Sequence, residues 1–215
     1  MRALLAIGGA APPRSRILPL LSTIDLICAA DSGLELIHEW GLTPDLIAGD
    51  MDSLRQPDLL ELYKAADIHR RDRAKDDSDT EAALRLCAER GAGEIVIAGG
   101  GGGRLDHLLA LRALFERRIR PCAWHLPEDS VYLVEKESRL AFFAEKGSLV
   151  SVFPLAPGSR LMKSRGLRWP LDGLVWDVGS YGLSNESLGG EVEIETGTGD
   201  LLVVRNWRFE DIQGA

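Results

Sequence analysis

At 215 residues the chain can bury one large core or two compact ones, and no stretch is polar and charge-biased enough to stay unfolded. A net charge of −8 sets the surface field against polyphosphate and disfavours nucleic acid as a partner, while no segment approaches the ~20 apolar residues that cross a bilayer. The three cysteines, Cys28, Cys87 and Cys122, are odd in number and widely spaced. That fits neither a disulfide framework nor a clustered zinc site, and they read as small core residues in a reducing compartment such as the cytoplasm.

The start imitates a secretory signal, with Arg2, the apolar residues 3–7 and then Gly8-Gly9, but the apolar run is too short. It is expected to be a first buried strand running into a ligand loop. Residues 26–30, 46–48 and 94–98, with 122–126 later, are further short apolar runs alternating with helical patterns. This predicts an α/β class, a mostly parallel sheet flanked by helices. Each of the first four strands ends in glycine or aspartate, and in open α/β sheets ligands gather beyond the carboxyl ends of the strands. After Pro127 the texture changes to brief segments at 131–135, 139–144, 149–153, 191–195 and 201–205, punctuated by glycines. These predict a C-terminal antiparallel β-sandwich, so the expected domains are 1–127 and 128–215.

Asp31-Ser32-Gly33, at the end of the second strand, offers either a ligand contact or a cap for the following helix, the cap being the simpler local reading. Next, the strand at 46–48 runs into Gly49-Asp50-Met51-Asp52-Ser53. Close carboxylates repel unless a cation sits between them, and hard oxygens suit Mg²⁺ completed by substrate phosphates; the plain alternative is a turn in which the aspartates bond their own backbone. In the acidic run 75–81, Ser78 and Glu81 form a capping box that puts Asp79 at the first helical position. The cap accounts only in part for Asp79 and does not explain why Asp76, Asp77 and Asp79 crowd together; the sharper reading of Asp79 is a second metal-facing carboxylate.

Five glycines, 99–103, then join a strand to the helix opened by Arg104-Leu105-Asp106-His107. Glycine lets backbone N–H groups approach a phosphate and the helix start adds a positive dipole end, although neither a P-loop ending nor a spaced dinucleotide fingerprint is present. Arg104 suits a bidentate grip on phosphate, whereas Asp106 alone needs no more than the dipole to explain it. His38, His69, His107 and His125 are scattered without metal-ligand spacing.

Taken in order, 30–33, 44–53, 76–81 and 99–107, followed by Gly166-Leu167-Arg168-Trp169-Pro170-Leu171 and Leu183-Ser184-Asn185-Glu186, resemble the thiamine pyrophosphokinase family over most of the chain. The resemblance implies transfer of diphosphate from ATP to the hydroxyl of thiamine, giving thiamine diphosphate and AMP, with magnesium as cofactor and ATP as co-substrate. It implies an ATP-binding catalytic domain at 1–127, a thiamine-binding and dimerisation domain at 128–215, and a cytoplasmic homodimer whose active site is shared between subunits. By the same resemblance Asp50, Asp52 and Asp79 hold the metal and, with Asp106, form the catalytic set. Asp31, Gly99, Gly100, Gly102, Gly103, Arg104 and Asp106 bind ATP, and Ser184 and Asn185 lie beside thiamine. The family often has glycine where Ser32 stands and an aromatic where Met51 stands, and the all-glycine run is expected to loosen its loop.

Two other readings compete. A pyrophosphokinase for another hydroxymethyl heterocycle, such as a pterin, would use the same phosphate machinery, and Ser184-Asn185 favours thiamine over it. A non-catalytic nucleotide or thiamine sensor would not need Asp50, Asp52, Asp79, Arg104 and Asp106 together.

Overall fold

Residues 3–7 are buried in succession and form β1 (Arg2–Ile7). Side chains on a strand point alternately to opposite faces, so an unbroken buried run requires cover on both sides of the sheet. In the computed structural model, which describes residues 1–70, 77–155, 158–177 and 179–206, β2 (Leu26–Ala30), β3 (Leu46–Gly49), β4 (Asp67–Arg70), β5 (Glu94–Gly99) and β6 (Ala123–His125) join β1 in one parallel array. The order is β6-β5-β1-β2-β3-β4, with Ile7 level with both Ala30 and Gly99, and Ala30 with Ala48.

The helices are α1 (Arg14–Ile17), α2 (Gly33–Glu39), α3 (Asp58–Leu62), α4 (Asp79–Glu89) and α5 (Leu105–Ala113). Of these, α2 packs on β1 and β2, and α4 on β1, β2 and β3. The chain winds outward from β1 to β4 and then returns to place β5 on the other side of β1. That reversal opens a crevice at the strand tips between β1 and β5, where an open α/β sheet takes its ligand. β4 was not legible in the sequence, because it is an edge strand with no buried residue and Ile68 as its single apolar side chain.

The chain divides into two compact units, Met1–Pro127 and Glu128–Ala215. In the second, β7 (Asp129–Val134), β13 (Leu201–Asn206), β9 (Leu149–Pro154) and β11 (Gly182–Glu186) pair antiparallel in that order, as do β8 (Arg139–Ala144), β12 (Gly190–Glu195) and β10 (Lys163–Arg165). Val150, Val152, Leu201 and Val203 of the first set share a core with Ala144, Val192 and Ile194 of the second. This is the expected antiparallel sandwich. Polar β10, and β11 with a pairing irregularity between Gly182 and Asn185, went unrecognised as strands because neither has the alternating apolar face that marks one.

Candidate active site

Three carboxylates from three elements meet at the tips of the parallel strands. Asp31 follows β2, Asp50 follows β3 and Asp79 opens α4, and an oxygen from each lies within 4.8 Å of the others. Asp31 does not cap α2, whose N-cap Ser32 makes no side-chain cap hydrogen bond. The Asp31 carboxylate instead accepts the Met51 N–H at 3.1 Å. Burial, reinforced by Asp79 and Asp50, pushes its carboxyl up to about 6. A divalent cation relieves that crowding, and a set of hard oxygens fits magnesium. Asp52 is exposed outside this group and donates its backbone N–H to Asp50 at 3.1 Å. Asp77 pairs with Arg85, and Asp76 lies outside the described residues.

The close approach depends on glycine at β3's end. Gly49 has φ +140°, and a Cβ there would lie 2.0 Å from Asp31 Oδ1. Met51 follows with φ +63°, a left-handed conformation that costs a non-glycine residue roughly 1–2 kcal/mol. On the other side the capping box is present as expected: Ser78 Oγ accepts Glu81 N–H at 3.2 Å and Glu81 Oε2 accepts Ser78 N–H at 3.1 Å, which fixes Asp79 in the first turn.

The glycine run is pinned rather than loose. Gly100 N–H donates to Gly8 O at 3.0 Å, Ala10 and Gly101 exchange two backbone bonds, and the Trp124 indole donates to Gly99 O at 2.8 Å. Gly99 has φ +108°, and a Cβ on it would meet Ile7 O at 2.1 Å, so β5 and β1 separate here without room for a side chain. Beyond the loop, Arg104 forms a two-pronged ion pair with Asp106, both exposed. The pair holds the Asp106 carboxyl below, and the Arg104 guanidinium above, their ordinary ranges.

A cavity of about 800 Å³ opens at these tips. Gly8, Gly9, Asp31, Asp79, Gly100 and Asp106 are among its walls, large enough for a nucleotide. Arg117, outside every sequence motif, lines the cavity and pairs with Glu81 at 2.9 Å, and Ser53, at the end of the Asp50 motif, accepts the Ser32 N–H through Oγ at 3.3 Å. Arg117 follows a helix that carries no motif at that end, and only the fold brings it back to α4.

In the second unit Ser184, at φ +57°, is exposed and donates its N–H to Ser151 Oγ at 3.0 Å. Asn185, 8% exposed, accepts the Trp169 N–H at 3.1 Å through Oδ1 and donates to Trp169 O at 2.6 Å through Nδ2. This amide therefore clamps the backbone beneath Trp169, whose ring is half exposed and carries the Arg168 guanidinium 4.8 Å from its centre.

Residues 18–120 match the family described as thiamin pyrophosphokinase, catalytic domain, and residues 133–201 match thiamin pyrophosphokinase, vitamin B1 binding domain. The chain belongs to the thiamin pyrophosphokinase family. It is thus an ATP-dependent diphosphate transferase with a catalytic and a thiamin-binding part. No curated protein matches it.

Among solved structures it is similar to thiamine pyrophosphokinase from Bacillus subtilis, at 20% identity, TM-score 0.79, and coverage of 97% of this chain and 100% of that one. A thiamin pyrophosphokinase family protein from Enterococcus faecalis gives 22%, 0.77, and 96% and 99%. Yeast thiamin pyrophosphokinase gives 17%, 0.72, and 98% and 87%. At such identities these likenesses speak for the fold; apart from Ile7, Gly8 and Gly9, the residues that line the strand-tip cavity fall within the catalytic match.

Proposed function

We propose that the chain makes thiamine diphosphate and AMP at the β1–β5 crevice, and that the carboxylates of Asp31, Asp50 and Asp79 form its magnesium site. The observation that carries this reading is the convergence of these three side chains from separate elements beside a glycine-walled cavity. Asp52 takes an outer position, its N–H holding Asp50. The chemistry that a magnesium ion supplies when held there is neutralisation of phosphate charge.

In this reading the ATP polyphosphate lies against Gly99, Gly100, Gly102 and Gly103, with the amides of Gly102 and Gly103 turned to its oxygens and Arg104 exchanging Asp106 for phosphate. The thiamine hydroxyl attacks the β-phosphorus in line, and AMP leaves. Asp79 and Asp106 are the two candidates to accept the hydroxyl proton. Arg104 holds the Asp106 carboxyl below its ordinary range, which makes Asp106 a poorer base for as long as that pair persists. Ser184 and Asn185 bind thiamine, Asn185 by setting Trp169 as a flat face on which a cationic ring takes the place of the Arg168 guanidinium.

A homodimer that shares the active site is part of the same reading, supported by Leu105 and Leu109 of α5. They stand one helical turn apart on the helix beside the cavity and are 69% and 60% exposed. A cytoplasmic setting agrees with three free cysteines, and no described helix is long and apolar enough to cross a membrane.

The test is AMP release from ATP with a panel of acceptors. Release should require both magnesium and thiamine. A preference for a pterin alcohol would move the assignment to that substrate, and no release with any acceptor would favour a sensor.

A further inference from the structure

Glu35, on the first turn of α2, is a carboxylate that the reaction does not use. Its side chain is 4% exposed, yet it faces the loop after β3 rather than the cavity. Glu35 Oε1 accepts the backbone N–H groups of Arg55 at 2.5 Å and Gln56 at 3.1 Å, while Oε2 meets the Arg55 guanidinium at 3.1 and 3.2 Å.

The same β2–α2 corner holds that loop at two more points. Asp31 accepts the Met51 N–H, and the Ser32 N–H donates to Ser53 Oγ. The segment carrying Asp50 leaves β3 through Gly49 at φ +140°, open to glycine, and passes Met51 at φ +63°, a conformation that a non-glycine residue in a free chain rarely keeps. Asp31 holds Met51 through Oδ1, and a carboxylate's second oxygen is left to face a cation. Glu35 is the tether that lies farthest along the loop. A buried carboxylate that accepts two backbone N–H groups is also expensive to leave without partners, which makes the clamp stiff.

We propose that Glu35 is a positioning residue that clamps the 50–56 loop to α2, so that Asp50 stays within reach of Asp31 and Asp79 and the divalent-cation site is preformed. The proposal rests on reading those three aspartates as the cation site. Residues that orient metal ligands from behind typically change metal affinity without touching the ion.

The experiment titrates Mn²⁺ as probe into the purified full chain without nucleotide, reading bound ion by electron paramagnetic resonance, with magnesium-dependent kinetics alongside. The proteins are wild type, Glu35→Asp, Glu35→Gln and Asp50→Asn. Glu35→Asp keeps the charge but withdraws the oxygens by one methylene, and should raise the half-saturating Mn²⁺ and Mg²⁺ concentrations about tenfold. Its KM for thiamine should stay within about twofold of wild type.

Glu35→Gln retains an oxygen that accepts both N–H groups and should bind close to wild type. Equal weakening in Glu35→Gln would give the role to the Arg55 ion pair and overturn the backbone clamp. Wild-type Mn²⁺ binding by Glu35→Asp, with only a lower melting temperature, would overturn the inference while Asp50→Asn binds weakly. Wild-type binding by Asp50→Asn as well would show that the cation site itself is misassigned, and the inference falls with it.

Discussion

Asp31 shows how far one residue can be read from its neighbours in sequence. Locally it is a cap candidate, and only its left-handed backbone at φ +46° and the proximity of β3's end turn its carboxylate onto Met51. Asp50 and Asp79 were legible because a strand end and a capping box fix where they point. The grouping of Asp31 with them, and the outward place of Asp52, depend on the parallel register of β2 and β3.

His125 is a second residue whose chemistry is invisible in sequence. It is 8% exposed at the end of β6, and burial lowers its pKa to about 4. The unfolded ring takes its proton near 6.5, so this histidine's contribution to stability is complete above that pH and is lost as pH falls toward 4. The loss should amount to roughly 3 kcal/mol. Asp31 acts oppositely, since its raised carboxyl adds stability as pH falls from about 6 toward 3.8. Melting curves from pH 7 to 4.5 should therefore flatten in His125→Phe relative to wild type, and unchanged curves would contradict a neutral buried imidazole.

At the scale of elements, the strands with continuous buried runs and the α4 capping box were readable, because period and cap chemistry are local. The glycine loop was located but not its rigidity, which comes from backbone partners at 8–10 and from Trp124, far along the chain. Two substitutions separate these effects. Ser78→Ala removes the cap of α4 and should lower stability by about 1 kcal/mol in denaturant unfolding. Gly99→Ala places a methyl group 2.1 Å from Ile7 O at φ +108°, which the β1–β5 junction cannot absorb without shifting. It should cost several kcal/mol, on the order of the largest single-site effects, and abolish nucleotide binding measured by calorimetry.

For the whole molecule, the α/β half and the sandwich were both apparent from the change of texture at Pro127, and the division falls between Pro127 and Glu128. What composition could not show is how the second unit would build a ligand face. The family resemblance makes Asn185 a contact residue, yet both ends of its amide are spent on Trp169. Asn185→Ala leaves a backbone donor and acceptor unmatched, a cost of about 1–3 kcal/mol per buried group. It should raise the KM for thiamine more than the KM for ATP in steady-state kinetics. Equal effects on both substrates would argue against a thiamine face at Trp169.

The most direct measurement is a magnesium titration of thiamine diphosphate formation by wild type and Asp50→Asn, with circular dichroism confirming the fold of each. If three carboxylates at the strand tips carry the reaction, the variant should lose about 100-fold or more in kcat/KM and need far more magnesium for what remains. A folded Asp50→Asn with wild-type magnesium dependence and full turnover would contradict the account.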